Sequence, residues 1–181
     1  MESAAGTQTS AKRSTSPDAL AAEIKERLGD DWPPRIYRER ILPLRTRSHA
    51  VPAPKKGRAD VEVQHTLLGI ELRVGRRRVS CPDLATARYL AVFARAGVGN
   101  VAVPYDITKI SHLADELESA WQRMLLLADF LTEGRTPSVR TRARTGAAKE
   151  AKVEIEEAGA GAAIPQFNQN TSQRQQQRRV S

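Results

Sequence analysis

The sequence predicts a mixed α/β fold: a small mixed sheet with helices packed on it, between disordered flanks. Three observations carry this. The apolar period changes from near four to two at Asp60 and returns to 3.6 after Pro104. Capping and turn residues stand at the seams between these stretches. Hydrophobic residues make up 40% of the 181 residues, below the roughly 45–50% of ordinary globular domains, so part of the chain stays outside any core. The expected organisation is an arm over 1–15, one domain over 16–134, and a basic, Gln/Arg-rich tail over 135–181 that is disordered apart from a short helix at 147–158.

Residues 1–15 are Ser, Thr, Ala and Gly with scattered charge, too little apolar surface to offset the entropy of ordering. A helix starts at Ser16-Pro17-Asp18, where a Ser N-cap precedes Pro at the first helical position. Leu20, Ile24 and Leu28 line it, and Gly29 ends it. Pro33 and Pro34 break the chain, a second short helix carries Ile36, Tyr37, Ile41 and Leu42, and Pro43 closes it. His49–Gly57, with Pro52, Pro54, Lys55 and Lys56, reads as a loop.

From Asp60, Val61, Val63, His65 and Leu67 share one face of a strand; after Gly69 that face passes to Ile70, Leu72 and Val74. Gly75-Arg76 is a two-residue hairpin turn, and Arg77–Cys81 returns. Pro82-Asp83 opens a helix lined by Leu84, Ala87, Leu90, Ala91 and Ala94 and ended by Gly97; Asn100–Pro104 is a short buried strand. A strand, helix and strand over Arg77–Pro104 imply a right-handed parallel unit joined to the antiparallel hairpin. In the last core helix Ile110, Leu113, Leu117, Trp121, Met124, Ala128 and Leu131 hold a 3.6-residue period for about six turns. That stripe is long for a small domain, so its end is expected to meet a partner or a second copy.

The lone Cys81 permits no internal disulfide, which suits a reducing cytoplasm. MESAAGTQTSAKRS has no apolar segment typical of a secretion signal, and no stretch approaches the ~18 apolar residues that span a bilayer. The expectation is a cytoplasmic protein without membrane contact. His49, His65 and His112 lack zinc-ligand spacing, and His65 is expected to pack within its strand. No GxGxxG or GxxxxGK[ST] motif suggests nucleotide binding.

The net charge is +8, and it is clustered. Between Arg35 and Arg58 eight cations face only Glu39, for +7; the hairpin adds Arg73, Arg76, Arg77 and Arg78. Asp106–Glu133 carries −4, so one side of the molecule is expected to be basic and the other acidic. Arginine dominates, and its planar fork suits phosphates and stacks on bases. Nucleic acid, RNA or DNA, is therefore the expected partner, with Arg38, Arg45, Arg47, Lys55, Lys56, Arg58, Arg76, Arg77 and Arg78 as candidate contacts.

Metal-dependent phosphodiester cleavage needs carboxylates on Mg²⁺ and a cation at the developing charge. Asp60 opens one strand, and Glu71 and Arg73 share a face of the next. With GRAD at 57–60, IELR at 70–73, a basic turn, a helix ending AGV and the strand NVAVP, residues 17–104 resemble the PD-(D/E)XK, or restriction-endonuclease-like, nuclease family. That resemblance implies Asp60 and Glu71 as Mg²⁺ ligands and Arg73 in the place of the family's lysine. Arg73, permanently protonated, stabilises charge but is no general base. The functional expectation is a basic nucleic-acid-binding protein on a nuclease-like scaffold. Two alternatives stand beside it: a non-enzymatic protein-interaction adaptor, and a homodimer held by helix 110–131.

Overall fold

The computed structural model describes residues 16–52 and 60–161. The arm over 1–15, the Gln/Arg-rich stretch after 161, and Lys55, Lys56 and Arg58 lie outside the described residues. Two helices start the fold. α1 (Pro17–Leu28) begins where the Ser16 hydroxyl accepts the Ala19 N–H at 3.2 Å, and ends at Gly29 with φ +52°. After a single 3₁₀ turn, α2 (Pro33–Ile36) runs into a wider π-type turn over Tyr37–Ile41, closed by a Leu42 N–H to Tyr37 carbonyl bond of 3.1 Å.

Five strands follow in two sheets. β1 (Thr46–Ala50) pairs antiparallel with β5 (Asn100–Pro104), while β2 (Val61–Thr66), β3 (Gly69–Val74) and β4 (Arg77–Cys81) form a meander. Gly75, at φ +59°, takes the left-handed conformation that the β3–β4 turn requires. α3 (Leu84–Ala96) lies between β4 and β5, with the Asp83 carboxylate accepting from the Thr86 N–H at 2.7 Å and Gly97 ending it at φ +76°. α4 (Ile107–Leu131) and α5 (Pro137–Ala158) are the last described elements. The fold is mixed α/β, and no described helix is long and apolar enough to cross a membrane.

Four expectations need correction. First, no parallel unit forms over Arg77–Pro104: β5 sits outside the hairpin sheet and runs antiparallel to β1. The reason lies on the edge of β5 that faces away from β1. There the Ala102 N–H donates to the Tyr37 hydroxyl at 2.9 Å, and the Tyr89 hydroxyl donates to the Ala102 carbonyl at 2.6 Å. Two buried phenols thus satisfy the backbone groups that a neighbouring strand would have paired. Second, the stretch expected to be loop from His49 starts inside a strand, since β1 runs to Ala50. Its polar TRSHA sequence is held extended by the apolar β5.

Third, the helix expected at 147–158 begins ten residues earlier, at Pro137, and belongs to the core. Ala143, Ala147, Ala151 and Ile155 recur every fourth residue and pack with Leu20, Ile24, Trp32, Met124 and Ala128 or with the sheet-side core. Alanines let the helices approach closely: a Cβ on Gly146 would lie 3.6 Å from the Pro17 carbonyl. Fourth, the α4 stripe is already covered. Ile110, Leu113 and Leu117 join the core containing α3, while Met124 and Ala128 join the one containing α1 and α5. Ile107, Leu126 and Phe130, outside that stripe, are the exposed large apolar residues of α4.

In the meander Leu72, Val74 and Cys81 are buried against α3, and Glu62, Gln64, Glu71, Arg73, Arg78 and Ser80 occupy the opposite face. His65 and Leu67, expected on the packed face, are exposed, because the sheet outruns its cover at the β2–β3 turn.

Candidate nucleic-acid interface

The carboxylates singled out by the sequence are not brought together. Asp60 precedes β2 beside the β3–β4 turn, its carbonyl accepting the Gly75 N–H at 2.9 Å. Glu71 pairs with Gln64, four residues further along the strand, about 13 Å away at ~3.3 Å per residue. Oxygens sharing one Mg²⁺ lie about 3–4 Å apart, so this pair does not fit a shared ion. Among the described residues no group of three or more His, Cys, Asp or Glu side chains is placed to hold a metal. Glu71 instead stands 3.9 Å from Arg78 across the β3–β4 ladder, with its Oε2 buried and lacking a hydrogen bond. Arg73 turns to the Gly75 carbonyl at 3.1 Å.

Ion pairs join the basic and acidic segments of the sequence. Arg38 reaches Glu154 on α5 at 3.0 Å, and Lys25 reaches the same carboxylate at 2.5 Å. Arg35 pairs with Asp30 and Glu39, and Arg40 with Glu116. The acids of α4 are engaged likewise: Asp115 and Glu118 by Arg88 at 2.7 Å, and Asp129 by Arg144. Glu154 shows the consequence. Burial pushes its carboxyl up, but hydrogen bonds from Lys25, Arg38 and the Trp32 indole outweigh it and hold the group below the usual range.

Arg45, Arg47, Arg76 and Arg77 have no ion pair with any described residue. Arg45 and Arg47 hold their guanidinium carbons 5.2 and 5.8 Å from the centre of the Tyr105 ring. Their strand aligns them there, because β1 pairs with β5 and the Tyr105 N–H continues the ladder to the Arg45 carbonyl at 3.2 Å. The Arg47 Nε is buried without a hydrogen-bond partner. At the other end of β1, Ala50, Val51 and Pro52 face Arg77, Arg78 and Val79 across an open groove of about 410 Å³.

Tyr105 is the residue that sequence reasoning missed. It is an aromatic between Pro104 and Asp106, and only the β1–β5 pairing brings it to arginines some 60 positions earlier. Cys81 is buried, and burial pushes its thiol up, as expected of packing rather than of a nucleophile. No protein-family model, curated protein or solved structure matches this chain.

Proposed function

We propose that this protein binds nucleic acid along β1, from Arg45 and Arg47 at its start to the groove where Ala50–Pro52 meet Arg77 and Arg78. The supporting observation is selective pairing. The fold neutralises Arg35, Arg38, Arg40, Arg88 and Arg144 with carboxylates; among the arginines without an ion pair to a described residue, Arg45 and Arg47 meet at the Tyr105 ring at one end of β1 and Arg77 lines the groove at the other. Guanidinium groups without internal counter-charges are suited to phosphate oxygens. The reading is of binding; the separation of Asp60 from Glu71 gives no support to cleavage through a shared Mg²⁺.

The test is the salt dependence of affinity. Each phosphate neutralised releases condensed counterions, so log K should fall linearly with log salt. Replacing Arg76, Arg77 and Arg78 together by Ala should lower the steepness of that line by about 2–3. An absence of binding at low salt to any RNA or DNA overturns the reading, and recovery of a protein partner through Leu126 and Phe130 of α4 would replace it with the adaptor alternative.

A further inference from the structure

The two ends of β1 differ in chemistry. The β3–β4 turn offers charge alone, whereas the start of the strand offers charge on an aromatic ring. Tyr105 is 48% exposed, so the two guanidinium groups leave much of its surface accessible. A backbone phosphate needs no such ring. In a duplex the faces of the bases are stacked on one another and closed to a side chain. An exposed aromatic surface beside planar guanidinium groups therefore matches an unpaired base.

The path between the ends supports the same substrate. β1 is the outer strand of its sheet, with only β5 beside it. From Arg45 to Val51 it advances six residues, roughly 20 Å, which is the span of a few nucleotides. The unpaired arginines of this surface stand on a strand and a turn, and none projects from a helix that could enter a major groove.

Building on the nucleic-acid reading above, we propose that Tyr105 with Arg45 and Arg47 forms a stacking platform for an unpaired base, making single-stranded RNA or DNA the preferred ligand. The base stacks on the open part of the Tyr105 ring or on the guanidinium planes. Arg45 and Arg47 also contact the adjoining phosphates, and the strand continues toward Arg77 and Arg78.

The experiment measures anisotropy of labelled 12-nucleotide single-stranded RNA, single-stranded DNA and a 12-base-pair duplex against the full chain and its Tyr105 variants. Wild type should bind the single strands more tightly than the duplex. Tyr105→Ala should weaken single-strand binding about 5- to 150-fold, the range of one lost base–aromatic stack, and leave duplex binding unchanged. The salt slope should stay, because the ring carries no charge. Tyr105→Phe should keep wild-type affinity, while Tyr105→Leu, which preserves an apolar side chain without a π-face, should behave like Ala. Equal affinity of Tyr105→Ala and wild type for single strands overturns the platform while nucleic-acid binding stands. Wild-type preference for duplex does the same, and failure of wild type to bind any of the three probes overturns both readings.

Discussion

Replacing Tyr37 by Phe tests why the molecule has two small sheets. The substitution keeps the ring, its full burial and its edge contact with Phe93 at 5.6 Å between centroids. What disappears is a hydroxyl that accepts from the Ala102 N–H and donates to the Gly159 carbonyl at 2.7 Å. The Ala102 N–H would then be buried without a partner, at about 1–3 kcal/mol, and the partly buried bond to Gly159 adds about 0.5–1.5 kcal/mol. Tyr37→Phe should therefore destabilise the protein by about 2–4 kcal/mol. Tyr89→Phe should cost about 1–3 kcal/mol, since it removes only the donor to the Ala102 carbonyl. Urea unfolding followed by tryptophan fluorescence, with a buried reporter in Trp32, gives both values. Hydrogen exchange adds a site-specific check: the Ala102 amide should exchange faster in Tyr37→Phe. If β5 were instead paired with the hairpin through its backbone, both variants would lie within about 0.5 kcal/mol of wild type and Ala102 would keep its protection. That result would refute the edge-capping argument.

Three further perturbations probe the packing, and one compares structural with unpaired arginines. Glu154 titrates low in the folded protein, so its stabilisation is present above the unfolded carboxylate value near pH 4.3 and is lost as the pH falls through the lower folded value. Glu154→Gln should cost about 1–2 kcal/mol at pH 7, with the gap to wild type in urea melts closing as the pH falls below the unfolded carboxylate value. Ala147→Glu would bury a charge against α1, and a loss above about 3 kcal/mol is expected, where a disordered tail would give no change. Cys81, buried with its thiol pushed up, should react with a thiol reagent at pH 8 only as the protein unfolds, so prompt labelling of native protein would contradict its placement. Arg38→Ala should lower the melting temperature and spare nucleic-acid affinity, whereas Arg45→Ala should do the reverse, although both belong to one basic run in the sequence.

The parts of the fold legible in the sequence are those decided within a few residues. Ser16-Pro17, Asp83, Gly75 and Gly97 act through their own backbone conformation or a side-chain bond three residues away, and each takes its expected role. The period along α4 likewise depends only on which face is apolar. α5 carries a weaker signal because its buried stripe is three alanines and one isoleucine within an Arg- and Glu-rich segment. Ala143, Ala147 and Ala151 keep a four-residue spacing, but alanine contributes little apolar contrast against so many charges. The pairing of β1 with β5 had no local signal, since it joins segments about 50 residues apart and one strand is polar.

The candidate site divides along the same line. Glu71 and Arg73 do share a face, as a two-residue period requires, but sequence spacing fixed no cross-strand register, and it is register that separates Asp60 from Glu71. Charge is subtler. Arg38 and Arg45 are equivalent members of a basic run until the fold brings Glu154 to one and Tyr105 to the other. Composition therefore measures how many cations a chain has, while folding decides how many remain for a ligand. In this molecule the carboxylates of α4 and α5 occupy Arg38, Arg40, Arg88 and Arg144. Arg45, Arg47 and Arg77 are left outside those pairs, and the first two lie over Tyr105, an exposed aromatic residue that belongs to no motif and is brought to them only by the β1–β5 pairing.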